Sequence, residues 1–150
     1  MNTLIDPVTE VSRVIGRFRR QLRRSTGRGF ESVRLTESQS ELLWLVGRHP
    51  DISVSAAAAE LGLVANTAST LVSKLVGKGL LVRTAGKTDR RVGQLRLAGA
   101  AQQIVDSSRA TRRVALAEAL NELDDAQIDS LTKGLEVLDT MTRRLQERRQ

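Results

Sequence analysis

The chain has 150 residues, 40% of them hydrophobic, with a net charge of +7 and no cysteine. That length suits one compact domain; the missing cysteines exclude disulfides, thiolate metal sites and thiol nucleophiles, and the single His49 gives no basis for a histidine metal centre. No run of about 18 apolar residues and no apolar leader with a cleavage site is present, so the expectation is a cytoplasmic protein with no membrane association, no metal and no cofactor.

Asp6-Pro7 reads as an N-cap and first helical residue, after which Val8, Val11, Val14, Ile15, Phe18 and Leu22 recur at helical spacing as far as Gly27 and Gly29. The same helix carries Arg13, Arg17, Arg19, Arg20, Arg23 and Arg24. Such a basic amphipathic pattern can lie on an anionic membrane or on DNA, or can simply be a solvated face. Thr36-Glu-Ser-Gln39 has capping-box form and opens a second helix with Leu42, Leu43, Leu45 and Val46, stopped by Pro50. Ser53 can cap a short third helix that Gly62 ends, and a fourth follows from about Ala65 to Lys78. Two short helices joined by so tight a turn form a helix-turn-helix candidate.

In the fourth helix Ala68, Leu71, Val72, Leu75 and Val76 follow core spacing, while Asn66, Ser69, Thr70, Ser73 and Lys74 lie opposite. Small hydroxyl and amide side chains are weak helix formers, so their choice for an outer face points to a face that is read. Asn can bond adenine bidentately, and Thr can meet a thymine methyl. Leu80–Thr84 and Val92–Leu97 read as two short strands around a loop that carries Gly86, Lys87, Asp89, Arg90 and Arg91, that is, as a wing behind the helix-turn-helix. From about Ala100 the pattern is helical again. Asp124, with Gln127 at the capping-box position, opens a last helix whose stripe Ile128, Leu131, Leu135, Leu138, Met141 and Leu145 runs almost to Arg143, Arg144, Arg148 and Arg149. Charge follows this division. Residues 1–100 hold 16 Lys/Arg against 8 Asp/Glu, and residues 101–150 hold 8 against 9, so the basic balance belongs to the first two-thirds and favours a polyanionic partner.

The order of helix, helix-turn-helix, two-stranded wing and two long helices resembles the MarR family of winged-helix transcriptional regulators. The most specific part is the unbroken segment AAELGLVANTASTLVSKLVGKGLLVRTAGKTDRRVGQLRLAGAA; LTESQSELLWLV is similar to the family's second helix, and Asp89-Arg90-Arg91 followed by Leu95 and Leu97 to its wing. The resemblance implies a mainly α fold with a small β wing: a winged helix-turn-helix lobe over residues 35–99, and an all-helical dimerisation region from 7–34 and 100–150 of one MarR-type domain. It implies a homodimer on double-stranded DNA, a pseudo-palindromic operator, repression, and release by a small ligand such as an aromatic acid.

On that reading Asn66, Thr67, Ser69 and Thr70 read bases, Lys74, Ser53 and Ser55 meet phosphate, Lys87 contacts DNA, and Arg90 and Arg91 enter or line the minor groove with Asp89 orienting an arginine. Arg17, Phe18 and Trp44 would line a ligand cleft, and Val11 and Ile15 would join Ile128, Leu131, Leu135, Leu138, Met141 and Leu145 at the dimer interface. The chain departs from the family's pattern at Val64, where a hydroxyl usually caps the recognition helix, at Thr70, where a cation is common, at Gly86-Lys87-Thr88, where Asp-Pro is frequent, and at Ala98 and Ala101 after the wing. Either the recognition-helix cap is lost or Asn66 takes over part of it; the wing tip is expected to be loose. An enzyme finds no support in the residues, which offer no nucleophile–base set and no phosphate loop. The same residues are also compatible with a low-specificity architectural DNA-binding protein and with a winged-helix module that binds protein.

Overall fold

A computed structural model describes residues 6–26 and 29–148; the expectations touching Gly27 and Arg149 lie outside them. The first helix, α1 (Pro7–Ser25), begins as its cap requires: the Asp6 carboxylate accepts from the Val8 and Thr9 amides at 3.3 and 3.2 Å. Pro7 costs nothing there, since a first-turn N–H has no partner within the helix. A short 3-10 turn, Gly29–Val33, follows where the sequence pattern gives no element; it buries Phe30. In α2 (Glu37–Arg48) the capping box is complete, with Gln39 N–H donating to Thr36 Oγ1 at 3.2 Å and Thr36 N–H to Gln39 Oε1 at 3.1 Å. This helix supplies the centre of the core: Leu42, Leu43, Leu45 and Val46 are all buried.

Ser53 caps α3 (Val54–Leu61) by accepting from the Ala56 amide at 3.0 Å. Gly62 ends it with φ +64°, and Leu63 N–H reaches back to the Ala58 carbonyl at 2.8 Å, so only two residues separate Gly62 from α4 (Ala65–Gly77). That geometry makes the helix-turn-helix. Strands β1 (Leu81–Ala85) and β2 (Gly93–Leu97) pair antiparallel, with Leu81 opposite Leu97 and Arg83 opposite Leu95. Each begins one residue later than the sequence suggests; at β1 the reason is that Leu80 closes α4 by donating to the Leu75 carbonyl at 3.0 Å. The turn before α3 adds an edge to this ribbon. Asp51 N–H donates to the Leu95 carbonyl at 3.0 Å, Leu95 N–H to the Ile52 carbonyl at 2.9 Å, and Ser53 bridges Gln94.

Two long helices complete the chain, α5 (Gly99–Asn121) and α6 (Asp125–Glu147); Asp124 and Gln127 cap each other reciprocally at the start of α6. One core joins Leu42, Leu43, Leu45 and Val46 of α2 to Val72 and Leu75 of α4, Leu81 and Leu95 of the ribbon, and Ala101 and Val105 of α5. By contrast α1 and α6 bury no residue. Val76, placed inward by its spacing, is 41% exposed, because the last turn of α4 extends beyond this core.

Candidate nucleic-acid interface and adjoining cavity

On α4 the residues Asn66, Thr67, Ser69, Thr70, Ser73 and Lys74 are all exposed, while Ala68, Val72 and Leu75 seat the helix on the core. The polar face is therefore open along the length of the helix. Thr70 is only partly free: its hydroxyl donates to the Asn66 carbonyl at 2.9 Å, which leaves the methyl group and the oxygen lone pairs to face outward. Val64, at the N-cap, makes no side-chain cap bond, so the cap is lost. The start of α5 at Ala98 is likewise without one. Of the two serines near α3, Ser55 is exposed, whereas Ser53 is half-buried with its oxygen engaged by Ala56; its hydroxyl proton remains available to a phosphate.

The wing carries Lys87, Arg90 and Arg91 exposed at its tip. Asp89 Oδ1 accepts from the Arg91 backbone N–H at 3.0 Å, and Val92 N–H donates to the Asp89 carbonyl at 3.1 Å, so the acid folds the loop on which both arginines stand. The loop is not loosened by its glycine. A side chain at Gly86 would run into the backbone carbonyl oxygens of Asp89 and Val92, so the tip is closed on itself and glycine is what allows the closure.

Two residues that carry no signal in the sequence join the wing to the rest of the lobe. Arg96, on β2, donates through Nε and a terminal nitrogen to the two carboxylate oxygens of Asp51 at 2.6 and 2.7 Å. Those hydrogen bonds, with the charges of Arg96 and Lys87 behind them, hold the Asp51 carboxyl below the ordinary carboxylate range. Asp51 and Arg96 lie 45 positions apart, and only the fold brings them together.

A second feature lies between α1, α2 and α5: a cavity of about 480 Å³ lined by Trp44, Phe30, Arg19, Arg23 and Arg112 among others. Trp44, one of the residues expected at a ligand cleft, lines it. Arg17 and Phe18 do not; they lie with Arg13 and Val14 in a separate shallow groove, Phe18 being 55% exposed, because α1 turns Arg19, Leu22 and Arg23 to the cavity instead. Phe30 meets Trp44 edge to face at 5.2 Å, and the Arg112 guanidinium sits 5.1 Å from the Trp44 ring centre. Among the described residues, Arg112 Nε is buried without a hydrogen-bond partner. Across the mouth Arg19 pairs with Glu37 at 3.1 Å.

The apolar stripes of the outer helices are uncovered in the single chain. On α6 Leu131, Leu135, Met141 and Leu145 are 40–62% exposed, with Ile128 and Leu138 half-buried; on α1 Ile15 is exposed and Val11 half-buried. Near its end α6 touches the lobe, where Gln146 donates to the Glu60 carbonyl of α3 at 2.7 Å.

A helix-turn-helix with an open polar face, backed by a two-stranded ribbon with a basic tip, defines a winged helix-turn-helix protein. The model of the MarR family matches residues 35–92, from the residue before the α2 cap to the end of the wing loop. Solved structures share the fold over nearly its whole length. FabT of Streptococcus pneumoniae, determined in complex with DNA, aligns at 21% identity with a TM-score of 0.75, covering 93% of this chain and 99% of its own. A MarR family protein from Bacillus stearothermophilus aligns at 20% and 0.65, covering 91% and 95%. The heme sensor PefR from Streptococcus agalactiae, determined in complex with heme, aligns at 20% and 0.56, covering 90% and 92%. No curated protein matches the sequence.

Proposed function

We propose that the protein is a sequence-specific DNA-binding transcriptional regulator that acts as a homodimer on a pseudo-palindromic operator, in the usual mode as a repressor. The observation that carries this reading is the open face of α4, where six exposed positions hold hydroxyl, amide or ammonium groups while the opposite face is locked into the core. Asn66, Thr67 and Ser69 are the base readers, and Thr70 contributes its methyl group, since its hydroxyl donor is spent on Asn66. Lys74, Ser55 and the hydroxyl proton of Ser53 serve phosphates. Lys87, Arg90 and Arg91 enter or line the minor groove, with Asp89 fixing their loop. Residues 7–34 and 100–150 form the dimerisation region around the lobe of residues 35–99, and two copies place their α4 helices about 10 bp apart.

The test is selection of bound duplexes from a random pool, followed by titration at several salt concentrations. An interrupted palindrome is expected. Arg91→Ala should weaken binding and flatten the logarithmic salt dependence by about one unit per lost phosphate contact; an unchanged slope removes the wing from the interface.

A second reading, control by a small ligand, is supported by the cavity at Trp44. An anionic ligand there would meet Arg112, whose Nε lacks a partner among the described residues, and would stack against an aromatic pair. Arg19 and Arg23, rather than Arg17 and Phe18, are the residues of α1 that would attend it.

A further inference from the structure

The clasp between Asp51 and Arg96 has no part in DNA contact as proposed, and it ties the α3 end of the lobe to the wing. The carboxylate and guanidinium meet side-on through two short hydrogen bonds, a geometry that fixes direction as well as distance. The backbone on either side is bonded across the same seam, Asp51 N–H to the Leu95 carbonyl and Leu95 N–H to the Ile52 carbonyl. Asp51 stands at φ +67°, a left-handed conformation that Asp and Asn tolerate best among residues with a side chain. Ser53, the cap of α3, follows only two residues later and itself bridges Gln94 of β2.

A pair as exposed as this one contributes little stability in water. Its effect is therefore on geometry. We propose that Asp51 and Arg96 form a positioning clasp that sets the wing against the N-terminus of α3, so that the two meet the duplex in one fixed relation. The clasp also disposes of a charge. Arg96 lies on the ribbon beside Val82, and with Asp51 neutralising it, it does not compete with the tip arginines for phosphate. Removing the carboxylate would free one cation on the wing and slacken the seam at the same time. Specific binding would lose, while binding to any duplex would gain.

This inference rests on the proposed DNA-binding function, and two measurements keep their failures apart. The first compares full-length wild type, Asp51→Asn, Arg96→Gln and the double variant on a duplex selected by the wild type and on a scrambled duplex of the same composition. Asn keeps the left-handed backbone preference and removes only the charge. For Asp51→Asn the ratio of specific to non-specific affinity should fall about two- to fivefold, the range open to an exposed pair, while the salt dependence on scrambled duplex steepens by about one unit. Arg96→Gln should lose the same discrimination without the steeper slope, and the double variant should lose no more than either single change. An unchanged ratio in Asp51→Asn, or additive losses in the double variant, overturns the clasp. The second measurement uses no DNA: amide hydrogen exchange at Leu95, which donates across the seam, should quicken in Asp51→Asn. Equal exchange overturns the clasp whatever the DNA result; a wild type that prefers no duplex, with Leu95 exchange quickened in the variant, overturns only the proposed DNA function and leaves the clasp standing.

Discussion

At the scale of single residues the wing shows how little is needed to aim two arginines. Asp89 turns its loop with one hydrogen bond to the Arg91 amide, and Gly86 lets the two carbonyl oxygens of Asp89 and Val92 come within contact of the opposite limb. The obstacle a new side chain would meet is backbone, which cannot rotate away. Gly86→Ala should therefore cost about 1–3 kcal/mol of stability, as overpacking does, and reduce operator affinity by more than the same loss placed in the core would; thermal melts and titrations on one preparation check both. The Asp51 carboxyl provides a second residue-scale outcome. Its folded pKa is depressed by the hydrogen bonds from Arg96, so the stabilisation it brings is complete above the unfolded carboxylate range and is lost as pH falls through the folded value. Melting temperatures of wild type and Asp51→Asn should accordingly differ near neutral pH and converge in acid, below roughly pH 4. Curves that stay parallel to low pH would show that the carboxylate is not held this way.

At the scale of elements the sequence was most legible where structure is local. The Asp6, Thr36, Ser53 and Asp124 caps, and the Gly62 stop, each depend on residues within four positions of one another, and all stand where their spacing put them. What was not legible depends on distant partners. The buried Phe30 turn has no periodicity, the edge formed by Asp51–Ser53 exists only because β2 lies beside it, and Arg112 reaches Trp44 from another helix. The expectation of Arg17 and Phe18 at a ligand cleft follows residue type, whereas the rotation of α1 that turns Arg19 and Arg23 to the cavity is set by its packing on α5 and not by its own pattern. The uncapped start of α4 is open to a direct trial. Val64 is 72% exposed in extended backbone, φ −72° and ψ 152°, the conformation of an N-cap, so its side chain does little where it stands. Val64→Ser should add about 0.5–2 kcal/mol to stability by accepting an amide of the first turn. Chemical denaturation would measure it; a midpoint that does not move would mean that another group already satisfies that turn.

At the scale of the whole molecule, the distribution of burial supports the proposed homodimer. The lobe is closed, with its core shared among α2, α4, the ribbon and α5, whereas α1 and α6 contribute nothing buried and carry apolar stripes that are exposed or half-buried. Exposed stripes of that length, rather than scattered apolar residues, mark a contact surface. They lie on the helices that flank the lobe in sequence, so a partner joined there leaves α4 and the wing free to face DNA. Two such lobes held at fixed separation bind one duplex with the second contact already paid for in entropy, which is where operator affinity would chiefly come from. Leu135, 55% exposed in the middle of the α6 stripe, separates the consequences. Leu135→Glu should leave the folded lobe and its non-specific DNA binding intact, because it removes nothing from the core. It should shift the sedimentation profile from dimer to monomer, and operator affinity should fall by about 10²–10⁴, the scale lost when a linked pair of sites becomes two independent ones. A variant that sediments as wild type and keeps its operator affinity would place the dimer contact elsewhere.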